Sequence, residues 1–183
     1  MPAPRRYDRI LLIGMMGAGK TTIGRALSNL LGWPYFDNDE LLARAVGKDT
    51  RRVQEEDGVY ALRRAESAAL DVALNEGGPL IAGVAGGVVT DPLDLQRLTT
   101  GGFVVWLRAD VTVLAKRVAG TDRPWLGSTP AVAMAHLYAG REALYTSAST
   151  FVVDEADNPP EQIALEIVQA MQAAGVPSPP MTR

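Results

Sequence analysis

The eight residues Gly14-Met15-Met16-Gly17-Ala18-Gly19-Lys20-Thr21 follow the spacing G-x-x-x-x-G-K-[ST]. Their flanks constrain the fold as much as the string does. The compact apolar run Arg9–Ile13 leads in as a buried strand. Thr22–Leu31 leads out as a helix, with Ile23, Leu27, Leu30 and Leu31 at helical spacing and Gly32 as the stop. A strand entering and a helix leaving a glycine-rich turn is the arrangement that wraps a phosphate group. The glycines let backbone N–H groups turn inward, and the helix N-terminus adds partial positive charge. Lys20 is placed to reach the β- and γ-phosphates of a nucleoside triphosphate, and Thr21 to offer its hydroxyl to Mg²⁺. Gly14, Gly17, Ala18, Gly19, Lys20, Thr21 and Thr22 are therefore the candidate nucleotide-binding residues, with ATP and Mg²⁺ as the expected cofactors. The alternative, a glycine-rich turn without a ligand, leaves the register of both flanks unexplained.

The rest of the chain alternates short apolar runs with longer amphipathic stretches, the pattern of helix-connected parallel strands. Further strands are expected at Pro34–Phe36, Leu80–Gly83, Phe103–Leu107 and Phe151–Val153. Helices are expected over Val59–Asn75, from Asp91-Pro92 onward, over about 110–117, over Pro130–Ser147 and over Pro160–Ala173. Gly120–Ser128 is rich in turn formers and reads as a loop, and Gly175–Arg183, with Pro177, Pro179 and Pro180, as a frayed tail. Five strands joined mostly by helices make a doubly wound α/β domain. At 183 residues the chain fits one domain, able to bury roughly 70% of its unfolded surface.

Composition narrows the chemistry. With no cysteine and the single histidine His136, thiol catalysis, cysteine-ligated zinc and multi-histidine metal centres are excluded. The 18 basic and 21 acidic residues, net −3, lack the basic excess of a sequence-independent nucleic-acid binder. Asp8 and Arg9 interrupt the only stretch that imitates a signal peptide, and no run is apolar enough to span a bilayer. A cytoplasmic, monomeric protein without nucleic-acid or membrane partners is expected. The guanine-reading N-K-x-D sequence of GTPases is absent, and the chain is short for a motor ATPase, so a small kinase is favoured. It should also carry an acceptor site and a lid.

Phe36-Asp37-Asn38-Asp39 follows the second strand. Alternate positions on an extended segment point the same way, so Asp37 and Asp39 are both expected to face the phosphate loop. One carboxylate would support Mg²⁺; the other would hold an acceptor hydroxyl and take its proton. The alternative is a turn in which Asp39 caps a helix starting near Glu40. Arg63 on the long helix, Arg123 in the Gly120–Ser128 loop and Arg141 beyond it offer planar forks for carboxylate or phosphate. Arg64 and Glu66 read as solvated neighbours, His136 as a surface or packing residue. Trp33 and Trp106 read as core anchors, and Trp125, beside Arg123, as a lid anchor.

Several motifs in order resemble the shikimate kinase family, a branch of the nucleoside-monophosphate-kinase fold, over about 10–173. They are the phosphate loop with Ile23-Gly24, Asp37-Asn38-Asp39, and Asp57-Gly58 followed by Leu62-Arg63-Arg64-Ala65-Glu66. Ala85-Gly86-Gly87, Thr121-Asp122-Arg123-Pro124-Trp125-Leu126 and Arg141-Glu142-Ala143-Leu144-Tyr145 complete the set. The resemblance implies a three-layer α/β/α kinase with a five-stranded parallel sheet of order 2-3-1-4-5 and a mobile lid at about 119–129. It implies a single kinase domain with its core at about 8–174 and a substrate-binding region at about 37–66. By the same resemblance Lys20, Asp39 and Arg123 are catalytic, and Thr21 and Asp37 hold Mg²⁺. Asp39, Arg63, Gly86, Gly87 and Arg141 bind shikimate, and Arg117 and Arg123 reach the nucleotide. The implied reaction is phosphorylation of the 3-hydroxyl of shikimate by ATP.

The chain departs from the family at Val59, in place of a glutamate, at Leu62, in place of a phenylalanine, and at Ala85, in place of a glycine. At Asp157 the family frequently has an arginine. An extra methyl at Ala85 would crowd a ring substrate or restrict the turn. A kinase of another small hydroxy acid or cyclitol, and a nucleotide-binding paralogue without kinase activity, are therefore the alternatives.

Overall fold

The computed structural model describes residues 8–119, 129–154 and 158–175. Its centre is a parallel sheet of five strands in the order β2-β3-β1-β4-β5. The strands are Arg9–Ile13 (β1), Tyr35–Phe36 (β2), Leu80–Gly83 (β3), Phe103–Arg108 (β4) and Phe151–Asp154 (β5). A parallel sheet covered on both faces needs continuous apolar runs, not alternation. β1, β3 and β4 meet that need: Ile10 to Ile13, Leu80 to Ala82 and Phe103 to Leu107 are all buried. Leu11 lies beside Ala82 on one side and Val104 on the other.

The first helix, α1 (Lys20–Leu31), carries the chain from β1 to β2. Between β2 and β3 come α2 (Asn38–Val46), the single turn α3 (Thr50–Arg52), a π-helical turn at Val53–Asp57 and the long α4 (Gly58–Asn75). After β3, α5 (Pro92–Gly101) leads to β4. α6 (Val111–Val118), α7 (Pro130–Ala139) and α8 (Glu142–Ala148) lie between β4 and β5, and α9 (Pro160–Ala173) follows β5. The step from β1 to β2 crosses the sheet in the direction opposite to the later steps. Right-handed crossovers then put α1 on one face and α4, α5 and α8 on the other, while α9, which follows the last strand, packs on α1. The contacts of α4 with α5, and of α5 with α8, agree with this. None of the described helices is long and apolar enough to cross a membrane.

The expected elements are found with small shifts, and two local readings change. The helix expected over Pro130–Ser147 is two helices. Arg141 (φ −120°) leaves helical geometry after Gly140, a weak helix former, and is thereby turned inward and buried. α3 and the π-helical turn were not expected, although Asp49 gives a start signal by accepting from the Arg52 N–H at 2.8 Å. Arg9, charged at the start of a buried strand, is 4% exposed. Its guanidinium donates to the carbonyls of Ala73 (3.3 Å) and Glu76 (2.7 Å), which the end of α4 would otherwise leave open.

Because β1 lies between β3 and β4, the strand order reverses there, and a crevice opens at the C-terminal ends of the strands. The segments leaving Ile13, Phe36 and Gly83 all enter it. Gly120–Ser128, and with it Arg123 and Trp125, lies outside the described residues, as do Asp157 and residues 176–183 of the tail.

Candidate active site

A cavity of about 670 Å³ occupies the crevice. One wall is the phosphate loop from Met16 onward with the first turn of α1, which brings Gly17, Ala18, Gly19, Lys20, Thr21 and Thr22 to its surface. The loop closes on left-handed backbone at Gly17 (φ 80°) and Gly19 (φ 81°), conformations that side chains disfavour. Helix α1 has no side-chain cap and no acidic residue in its first turn. Its opening N–H groups and partial positive charge are thus offered to an anion. The Lys20 Nζ lies over the loop, donating to the carbonyls of Gly14 (2.8 Å) and Met15 (3.0 Å). Gly14 itself packs below the surface, where a Cβ would lie 2.7 Å from the Leu107 carbonyl oxygen. Arg117, in the last turn of α6, lies outside the cavity wall and donates to the Gly17 carbonyl at 3.1 Å.

Asp37 and Asp39 both line the cavity, though not by alternating along a strand. Asp37 is the N-cap of α2, its Oδ1 accepting the Glu40 N–H at 2.9 Å, and Asp39 stands in the first helical turn. The cap is thus Asp37 and not Asp39. Asp39 instead accepts a hydrogen bond from the Thr50 hydroxyl. Thr21 and Asp37 face the same space with hard oxygen donors, and among the described residues no group of three or more His, Asp or Glu side chains is placed to hold a metal ion by itself. The pair Thr21 and Asp37 fits Mg²⁺, which keeps most of its waters and takes one or two protein oxygens together with phosphate. The phosphate-facing helix end fits the anion of ATP.

The remaining wall holds Arg63, Gly86, Gly87 and Arg141. Arg63 donates to Glu66 at 2.5 Å, and Glu66 is only 8% exposed. Glu66 is therefore a buried partner of Arg63 and not the solvated residue its sequence neighbourhood indicated; Arg64 is exposed. Arg141 is 7% exposed and has no carboxylate partner among the described residues. A guanidinium held out of water without a counter-charge favours an incoming anion. Tyr145 stacks on Trp106 with 5.6 Å between ring centroids and donates to the Gly86 carbonyl at 2.7 Å. Burial pushes its hydroxyl pKa up to about 12, against the opposing effect of Arg141. Val59, Leu62 and Ala85, three of the four departures, border the cavity. Trp33 and Trp106 are core residues, and His136 is an exposed residue at the cavity mouth.

Three lining residues carried no signal in the sequence. Thr50 and Gln54 come from α3 and the π-helical turn, elements that periodicity did not reveal. Tyr35 looked like an ordinary strand residue. Its ring fills the space left by Gly24 and Gly83, and its hydroxyl is the one buried side-chain polar atom without a hydrogen-bond partner among the described residues. Burial raises its pKa. Thr21 stands near enough to oppose that shift, but outside hydrogen-bonding geometry.

A family model described as shikimate kinase matches residues 16–172. The chain is 35% identical over 176 residues to a shikimate kinase of Halorhodospira halophila, covering 95% of this chain and 98% of the relative. It is 34% identical over 167 residues to one from Ruegeria pomeroyi, covering 90% and 85%. Among solved structures, the shikimate kinase of Acinetobacter baumannii in complex with shikimate superposes with a TM-score of 0.86. It is 27% identical and covers 94% of this chain and 97% of that one.

Proposed function

This chain belongs to the shikimate kinase family, and from that premise we propose that it transfers the γ-phosphoryl group of ATP to the 3-hydroxyl of shikimate, releasing ADP. The observation that carries the reading is the buried Arg141 guanidinium without a carboxylate partner, in the same cavity as Arg63 and the phosphate loop. Such a cavity suits a substrate with a carboxylate at one point and a hydroxyl at another.

On this reading Lys20 and the loop amides hold the ATP phosphates, with Arg117 supporting the loop at Gly17. Thr21 and Asp37 would hold Mg²⁺, which neutralises charge on the phosphates when bound. Asp39 orients the acceptor hydroxyl and takes its proton as the new O–P bond forms and the bond to ADP breaks. Arg63 and Arg141 grip the carboxylate, while Gly86 and Gly87 let the ring approach the backbone. Arg123, assigned from its lid-like sequence, closes over the phosphates. The acidic balance of the chain speaks against a nucleic-acid partner, and the absence of cysteine suits a reducing compartment such as the cytoplasm; a monomer is proposed, and analytical ultracentrifugation checks it.

A coupled ADP-release assay tests the reaction: shikimate should stimulate turnover. Asp39→Asn should lower kcat by about 10²–10⁴ while ATP still binds; wild-type kcat in that variant would remove Asp39 from the chemistry. Val59 and Ala85 at the cavity wall favour a second reading, in which the acceptor is another hydroxy acid or a cyclitol. Stimulation by such a compound and not by shikimate would select it. Stimulation by neither would leave a nucleotide-binding protein without kinase activity.

A further inference from the structure

The π-helical turn at Val53–Asp57 sits where the chain passes from α3 into α4, closed by the Gly58 N–H donating to the Gln54 carbonyl. A π-turn adds a residue to the helical repeat and so re-aims neighbouring side chains, a device frequent at functional sites. Here it sends Val53 into the core and puts the next residue, Gln54, on the cavity wall. Thr50, one turn earlier, reaches the same wall and donates to Asp39.

The polar groups around this wall differ in what they leave to a ligand. Thr50 is committed to Asp39, and Arg63 gives one N–H group to Glu66, which leaves the rest of its guanidinium for a carboxylate. The Gln54 carboxamide makes no hydrogen bond among the described residues. It is half-buried, so it is not simply a solvated tip of a surface helix. A carboxamide offers both a donor and an acceptor, which matches a hydroxyl group in either sense. An acceptor with a carboxylate and several hydroxyls uses the arginines for the first and Asp39 for the hydroxyl that reacts. The remaining hydroxyls need partners of this kind, because a hydroxyl desolvated without one is costly.

We propose that Gln54 is a specificity-determining residue of the acceptor site, hydrogen-bonding a hydroxyl that is not phosphorylated, while Thr50 is a positioning residue that fixes the Asp39 carboxylate. This rests on the function proposed above and specifies which side chains read the acceptor's hydroxyl pattern. The two residues divide the kinetics. Loss of the Gln54 amide should weaken acceptor binding; loss of the Thr50 hydroxyl should slow turnover.

The experiment pairs variants with substrates. Gln54→Leu and Gln54→Met remove the amide in two different shapes, so a folding defect peculiar to one does not decide the outcome. Both should raise KM for shikimate about tenfold, with KM for ATP and kcat little changed. Shikimate analogues lacking the 4- or the 5-hydroxyl should bind wild type more weakly. For the analogue missing the hydroxyl that Gln54 holds, that penalty should vanish in the variants. Thr50→Val should lower kcat more than it raises KM, and Thr50→Ser should restore it. Unchanged KM in both Gln54 variants, or equal analogue penalties in variant and wild type, overturns the Gln54 role; unchanged kcat in Thr50→Val overturns the Thr50 role. Calorimetric titration of shikimate in the presence of ADP separates the two levels. Wild type that binds shikimate without turning it over sinks the proposed reaction and leaves the variant comparison standing. Wild type that neither binds nor turns over sinks both.

Discussion

The Tyr145 hydroxyl donates to the Gly86 carbonyl at 2.7 Å and lies 3.6 Å from the sulfur of Met15. One buried side chain from α8 thus ties the acceptor loop after β3 to the phosphate loop after β1. A Cβ on Gly86 would lie 2.9 Å from the Gly14 carbonyl oxygen and 3.0 Å from the Tyr145 hydroxyl, so the two loops touch at this point. Their relative position is set by packing there.

Tyr145→Phe should cost about 1–2 kcal/mol by leaving the Gly86 carbonyl without its donor. The pH dependence is distinctive. The Tyr145 pKa is raised from 10.0 to about 12. Its stabilising contribution is therefore complete below pH 10 and is lost as pH climbs toward 12, because the unfolded chain ionises first. A shift of that size corresponds to about 2–3 kcal/mol, absent from the phenylalanine variant. Urea unfolding at pH 8, 10 and 11 should show the gap between wild type and variant closing above pH 10; a constant gap would contradict the assignment.

Gly87→Ala should impair the acceptor site without unfolding the protein. The backbone at Gly87 (φ −86°) accepts alanine, but the new Cβ would run into the Arg63 guanidinium, 2.6 Å from its Cζ. Arg63 is the end of a flexible side chain and can move, giving up its place beside Glu66. Steady-state kinetics should show the acceptor KM raised about tenfold with KM for ATP little altered. An unchanged acceptor KM would mean that Arg63 can bind the substrate from its displaced position.

Tyr35→Phe should stabilise the nucleotide-free protein. The Tyr35 hydroxyl is buried without a partner, and such a group costs about 1–3 kcal/mol. The ring itself stays in the slot formed by Gly24 and Gly83. Differential scanning calorimetry without nucleotide should show Tm raised by roughly 2–12 °C. A lowered Tm would show that the hydroxyl finds a partner in solution.

The sheet and the phosphate loop were legible in the sequence because they are local or periodic. A parallel strand buried on both faces must be a continuous apolar run, as Ile10–Ile13 is, and the loop needs glycine where the backbone turns left-handed, as at Gly17 and Gly19. Asp91-Pro92 marked the start of α5 because capping is a contact between neighbours in sequence. What tertiary structure decided involves groups far apart in the chain. Glu66 carries the pattern of a solvated helix residue, yet it is buried beside Arg63 because Gly87 leaves room for the pair. Arg141 leaves what reads as one helix, and its guanidinium is buried next to Gly86, a neighbour far away in the sequence. Gln54 reaches the cavity through a π-turn that no hydrophobic period encodes. Local spacing and apolar runs suffice to put a phosphate loop on a five-stranded parallel core. Only the folded chain decided which side chains close the acceptor half, since burial and pairing there depend on Tyr145, Gly87 and the π-turn meeting across the crevice.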